Sequence, residues 1–247
     1  PEAERAARGN HLRNILPLVE DEEVATVLSV HDFNAEGYLV FATRQGMIKK
    51  TALREYGNLN ASGLIAINLV DGDELVSVHH GWSGAHVVLA TRLGQAIRFP
   101  EADTREMGRA TQGVRGIRLR PDDVVVSLSV IAEAQLDDAE LLAVTECGFG
   151  KRTLLREYPV QGRGGQGVVT LKVTSKTGKL VSLGSVRGDE ELLVLSEGGV
   201  LIRTRVGEVS RYGRSSQGVT IMRLGEGDRV VSVMVMLSEE TLEQVIE

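Results

Sequence analysis

The residue types best suited to chemistry gather in one loop, Gln161-Gly162-Arg163-Gly164-Gly165-Gln166-Gly167. Its glycines leave the backbone bare, so another backbone or a phosphate can approach closely and positive φ angles are accessible. Arg163 is the only charge in the loop, and a guanidinium there suits a phosphate oxygen. Gly162, Gly164 and Gly167 also satisfy G-x-G-x-x-G, a dinucleotide fingerprint when a strand precedes it and a helix follows. Here a β-branched run, residues 168–173, follows instead, and the required context is missing. His79, His80 and His86 have no Cys or carboxylate at metal-ligand spacing and read as solvated loop histidines. The single cysteine, Cys147, excludes a disulfide within the chain and suits a reducing cytoplasm.

The elements that must carry this loop are strands. The chain has 247 residues, 42% of them hydrophobic, with 28 glycines. Val-rich runs are abundant and helix-period stretches scarce, which predicts an all-β protein with many turns. The longest apolar run, 230–237, falls far short of the ~18 residues needed to span a membrane. No signal peptide is visible and residue 1 is not Met, so the chain reads as a piece of a longer protein.

The strands repeat. Turn glycines Gly46, Gly94, Gly148 and Gly199 each close a Thr/Ser-x-x-Gly motif. Each motif follows an apolar run and precedes a run ending in basic residues: Lys49-Lys50, Arg98, Lys151-Arg152 and Arg203. A second glycine follows (Gly63, Gly113, Gly167, Gly218) and leads strands predicted over 64–69, 114–119, 168–173 and 219–224. Acidic turns then open a further strand. This gives full units at 24–73, 74–123, 124–178 and 179–228, partial units at 1–23 and 229–237, and an acidic tail at 238–247. Four-stranded repeats of ~50 residues are the pattern of propeller-like blades.

Charge follows the repeat. The net charge is −6, yet segments 46–63, 97–120, 148–172 and 199–223 carry +2, +3, +4 and +4. Acids gather in other turns, such as Asp137-Asp138 and Asp189-Glu190-Glu191. Equivalent positions of a ring lie on equivalent surfaces, so the basic segments predict a positive band suited to a phosphate backbone. The competing reading is that basic residues on exposed strands merely block edges. No base-reading helix is apparent, so recognition would rest on DNA shape and deformability. The residues expected to touch DNA are Lys49, Lys50, Arg54, Arg98, Arg109, Arg115, Lys151, Arg152, Arg163, Arg203, Arg205 and Arg214. A protein-interaction propeller scaffold is the alternative, motivated by net acidity. The Trp-Asp and Gly-His signatures of common interaction propellers are missing, and the one Trp, Trp82, sits in a variable loop.

Along its whole length the chain resembles the C-terminal domain of the DNA gyrase A subunit. The runs that carry this are TRQGMIKKT (43–51), LVDGDEL (69–75), TQGVRGIRL (111–119), GKRT (150–153) with EYP (157–159), and RTRVGEVS (203–210). The resemblance implies a six-bladed β-pinwheel, with part of the first blades missing here, whose positive rim bends and chirally wraps duplex DNA. In the parent ATP-dependent type II topoisomerase this wrap yields negative supercoils. It further implies two partners: the gyrase B subunit, within an A2B2 complex, and the N-terminal breakage-reunion part of the same polypeptide. It implies no catalytic residue, metal or cofactor in this chain, ATP and Mg²⁺ being used elsewhere in the enzyme, and a bacterial cytoplasmic, nucleoid-associated location with no membrane. The topoisomerase IV counterpart is the near alternative; the regular repeats favour gyrase. The family signature box has the form Gln-basic-Arg-Gly-Gly-basic-Gly, and Gln161 to Gly167 is a degenerate echo in which Gly162 and Gln166 replace the basic residues. The full box is expected upstream of Pro1. Arg211-Tyr212 imitates the cleavage pair of these enzymes, but it lies in a Gly-rich loop without a carboxylate cluster, so Tyr212 is read as a loop tyrosine.

Overall fold

A computed structural model describes residues 22–58 and 63–236, with Asn14, Leu16 and Leu18. Apart from those three, the residues up to 21 and the acidic tail lie outside the described residues.

The strands are β1 (Tyr38–Thr43), β2 (Met47–Ala52), β3 (Leu75–Gly81), β4 (His86–Thr91), β5 (Gln95–Pro100), β6 (Val114–Arg115), β7 (Val125–Ile131) and β8 (Glu140–Thr145). They continue with β9 (Phe149–Leu154), β10 (Val168–Val169), β11 (Leu180–Val186), β12 (Glu191–Ser196), β13 (Leu201–Arg205), β14 (Val219–Thr220) and β15 (Val230–Met236). They form four antiparallel blades, ordered β3-β1-β2-β6, β10-β5-β4-β7, β11-β8-β9-β14 and β13-β12-β15. The fold is all-β and propeller-like, with three four-stranded blades and one of three strands among the described residues.

Each central hairpin is dictated locally. The Thr or Ser that opens its turn accepts an N–H four residues on: Met47 to Thr43, Gln95 to Thr91, Phe149 to Thr145 and Val200 to Ser196, at 3.2–3.3 Å. The acidic turns serve the same corner. Asp73, Asp123 and Asp228 accept the N–H groups of Gln45, Leu93 and Gly198 at 2.8–2.9 Å. Those acids are turn caps.

The sheets do not follow the repeat frame read from sequence. The strand after each acidic turn pairs with the hairpin before it, as β3 pairs with β1. The strand after each second glycine also leaves its own repeat: β6, β10 and β14 join the outer edge of the preceding blade, against β2, β5 and β9. These outer strands pair over only two residues, shorter than the six predicted. Residues 64–69 form no strand.

The core lies between blades. Val40, Ala42 and Ile48 pack with Val87, Leu89, Ile97 and Phe99 across the first gap. Val88 and Ala90 meet Leu141 and Ala143 across the second. Leu142 and Val144 meet Leu192 and Val194 across the third. Alternate side chains of β4 and β8 thus bury on opposite faces, which is why these strands read as unbroken apolar runs.

Candidate nucleic-acid interface

The basic residues that end the second strand of the first three hairpins reach into the next repeat. Lys49, Lys50, Arg98, Lys151 and Arg152 are all buried. Lys50 pairs with buried Glu101 and lies 4.6 Å from the centre of the Tyr38 ring. Arg98 donates to the Leu155 and Tyr158 carbonyls at 3.1 and 3.3 Å, and its Nε donates to His86 Nδ1 at 2.9 Å. Arg152 donates to the Val209 carbonyl (2.6 Å), the Gly207 carbonyl (2.9 Å) and Glu140 Oε2 (2.7 Å). Lys50, Arg98 and Arg152 each thereby reach the short 3₁₀ turn of the following repeat. Lysine, with a point charge, meets a carboxylate there, whereas the arginine fork spans carbonyls. These residues are staples between blades. The expectation that they lie on an exposed band touching DNA is overturned by their burial.

The remaining predicted residues lie nearer solvent. Arg54, Arg115, Arg203 and Arg205 are exposed, while Arg109, Arg163 and Arg214 are half-buried. Arg54 pairs with Glu106 and Arg203 with Glu191. The glycine-rich loop proves to be a seam. Gly164 donates to the Gly116 carbonyl and Arg118 N donates to the Gly165 carbonyl, each at 2.8 Å, so two backbones do approach closely there. Arg163 reaches back to the Asp103 carbonyl (3.0 Å) and the Arg115 carbonyl (2.5 Å), and Arg214 repeats this with the Glu157 and Val169 carbonyls. Tyr212 lies in the loop between β13 and β14, its backbone bonded to Arg152 and Thr153. His86 is held below the usual imidazole range by burial and then by Arg98. Among the described residues no group of three His, Cys, Asp or Glu is placed to hold a metal.

A column that sequence reasoning counted but did not single out emerges on the outer edge. Arg118, Lys172 and Arg223 each stand five residues after the second glycine of their repeat, and all three are exposed. They lie just beyond the outer strands β6, β10 and β14. The common offset from Gly113, Gly167 and Gly218 was the available signal.

Comparison with known proteins fits this architecture blade by blade. Segments 37–79, 85–132, 139–187 and 190–235 match the family described as DNA gyrase C-terminal domain, beta-propeller. The chain belongs to the DNA gyrase C-terminal domain family. The DNA gyrase A subunit of Deinococcus deserti is 54% identical over 98% of this chain, and that of Mycobacterium tuberculosis 42% over 94%. The chain spans 30% and 28% of these two relatives. Among solved structures, the C-terminal domain of DNA topoisomerase IV superposes with a TM-score of 0.87 at 29% identity, covering 96% of this chain and 74% of that one. A DNA gyrase A C-terminal domain superposes with 0.82 at 27%, covering 94% and 76%. Within this gyrase-type domain the staples and the outer column divide the basic residues into two classes. One class holds blades together, and the other faces solvent.

Proposed function

We propose that the domain binds, bends and chirally wraps duplex DNA around its outer edge, as the wrapping part of a gyrase that introduces negative supercoils. The observation that carries this is the column Arg118, Lys172 and Arg223, exposed at the same place on three successive blades. A recurrent cation spaced by the blade repeat suits a phosphate backbone followed along a curved edge. Arg54, Arg115 and Arg205 are also exposed. Family membership supports the reading, and relatives that are gyrase A subunits favour gyrase over topoisomerase IV. The six-bladed disc, the breakage-reunion and gyrase B partners, the cytoplasmic location and the siting of all catalysis, ATP and Mg²⁺ outside this chain belong to the same proposal. No helix among the described residues is long and apolar enough to cross a membrane.

A mobility shift with random-sequence duplex tests binding, and a linking-number shift in a plasmid relaxed in its presence tests wrapping. Affinity is expected to fall steeply with salt, with a slope of about −0.9 per phosphate neutralised. Replacing Arg118, Lys172 and Arg223 together by Glu should flatten that slope by about three contacts' worth. The urea midpoint should hold, because exposed substitutions usually change stability by under ~0.5 kcal/mol each. An unshifted duplex at low salt would mean that the edge does not bind DNA, and would favour a protein-binding scaffold.

A further inference from the structure

Two of the buried cations do more than join blades. Lys151 Nζ donates to three oxygens of the loop before β14: the Gly213 carbonyl (2.7 Å), the Arg214 carbonyl (2.5 Å) and Ser216 Oγ (3.3 Å). An ammonium has three donors, so this loop saturates it. Lys49, at the equivalent place two repeats earlier, donates to the Arg109 carbonyl and to the Ala66 carbonyl (2.5 Å). Each lysine therefore grips the backbone of a half-buried loop arginine. The repeat between them has Ile97 at this position. Its loop, residues 161–167, is held instead through its backbone, by the bonds from Gly164 to Gly116 and from Arg118 to Gly165. The loop at 212–218 shows no counterpart of those bonds among the described residues.

We infer that Lys49 and Lys151 are positioning residues, which hold the Arg109 and Arg214 loops in the arrangement that meets DNA. This rests on the DNA-binding reading above. The arrangement runs against stability. Burial lowers both lysines to about 8 from an ordinary 10.5. Between those values the unfolded chain holds more protons than the folded one, so these groups make stability rise with pH from about 8 upward. The charged clamp is thus kept at the expense of the fold. What it gives in return is an ordered loop. Glu157 and Arg214 are the charged groups felt at Lys151, and Arg109 at Lys49.

Lys151→Met should raise hydrogen exchange at 212–218 and leave 161–167 unchanged. It should weaken duplex binding about three- to tenfold and flatten the salt slope by about one contact. Lys151→Arg should restore part of both effects. In the Arg214→Ala background Lys151→Met should add little, because the two changes act through one contact. If Lys151→Met does not fold, Lys151→Gln decides, because its neutral amide stays polar but cannot serve all three loop oxygens. Its protection factors at 212–218 and its duplex affinity should both fall below those of the unaltered protein, with 161–167 as the internal control. A wild-type protein that fails to bind duplex refutes the DNA reading itself. Normal binding by a folded Lys151→Met protein, or a 212–218 loop and affinity indifferent to Lys151→Gln, overturns the positioning role alone.

Discussion

Replacing Arg152 by Met is expected to lower stability by about 3–5 kcal/mol, the range for removing one partner of a buried ion pair. The guanidinium fills a slot in which its side chain and that of Glu140 are 9% and 5% exposed. Without it the Gly207 and Val209 carbonyls lose their donor, and Glu140 keeps only the exposed Arg211 as a cationic partner among the described residues. Arg203 is the control built into the same chain. It occupies the equivalent position of the last hairpin and pairs with Glu191, the equivalent of Glu140, but its side chain is 50% exposed. Arg203→Met should therefore change stability by no more than ~1 kcal/mol. Urea unfolding of the two variants gives the comparison directly. Equal losses would show that the staple contributes no more than a surface pair. Adding Glu140→Gln to Arg152→Met should recover part of the loss, because it removes the stranded charge.

Gly148→Ala is the second large effect. Gly148 sits at φ +75°, and a Cβ there would be driven into the Met222 carbonyl just beyond β14. The same strand is bonded to it, Ile221 N and Met222 N donating to the Gly148 carbonyl at 2.8 and 3.1 Å. Gly199 has the same backbone conformation, φ +82°, but nothing lies within 4 Å of its Cβ position. Gly199→Ala should thus report the left-handed backbone alone, about 1–2 kcal/mol. Gly148→Ala should carry that amount plus overpacking of roughly 1–3 kcal/mol. It should also release the outer strand, read as lost exchange protection at Val219 to Met222. Equal destabilisation of the two variants would mean that the outer strand does not need the bare glycine.

The turns of this fold were open to reading because their chemistry is local. The hydroxyl of Thr43 and the carboxylate of Asp73 act within one corner, so Thr-x-x-Gly and the acidic turns mark blade corners in the sequence itself. The charge counts were also sound, but the assignment of charge to surface was not. Lys151 lies on a strand between two sheets, where both faces are buried, and its oxygen partners lie in the next repeat. Nothing in the residues beside it announces them. Glu140 and Glu191 at the head of their first strands, diagonal to Arg152 and Arg203 across the hairpin, were the nearest hint. The grouping of strands into blades was hidden for a related reason. Whether residues 168–169 pair within their repeat or with β5 depends on geometry, and both arrangements have the same hydrophobic pattern. Arg118, Lys172 and Arg223 share one offset from the second glycine, yet their exposure follows only once their strands are placed on the outside.

The borrowed outer strand has a consequence for synthesis on the ribosome. A blade such as β11-β8-β9-β14 cannot be completed from its own repeat, because β14 is encoded after the next hairpin has begun. At about 5–20 residues per second, the nascent chain waits several seconds between making a hairpin and making the strand that closes it. During that interval β9 is an open edge beside the tunnel exit. Maturation must then proceed one repeat behind elongation, each emerging segment sealing the blade made before it. A pause within residues 170–218 would prolong exposure of β9 and leave the earlier blades already sealed.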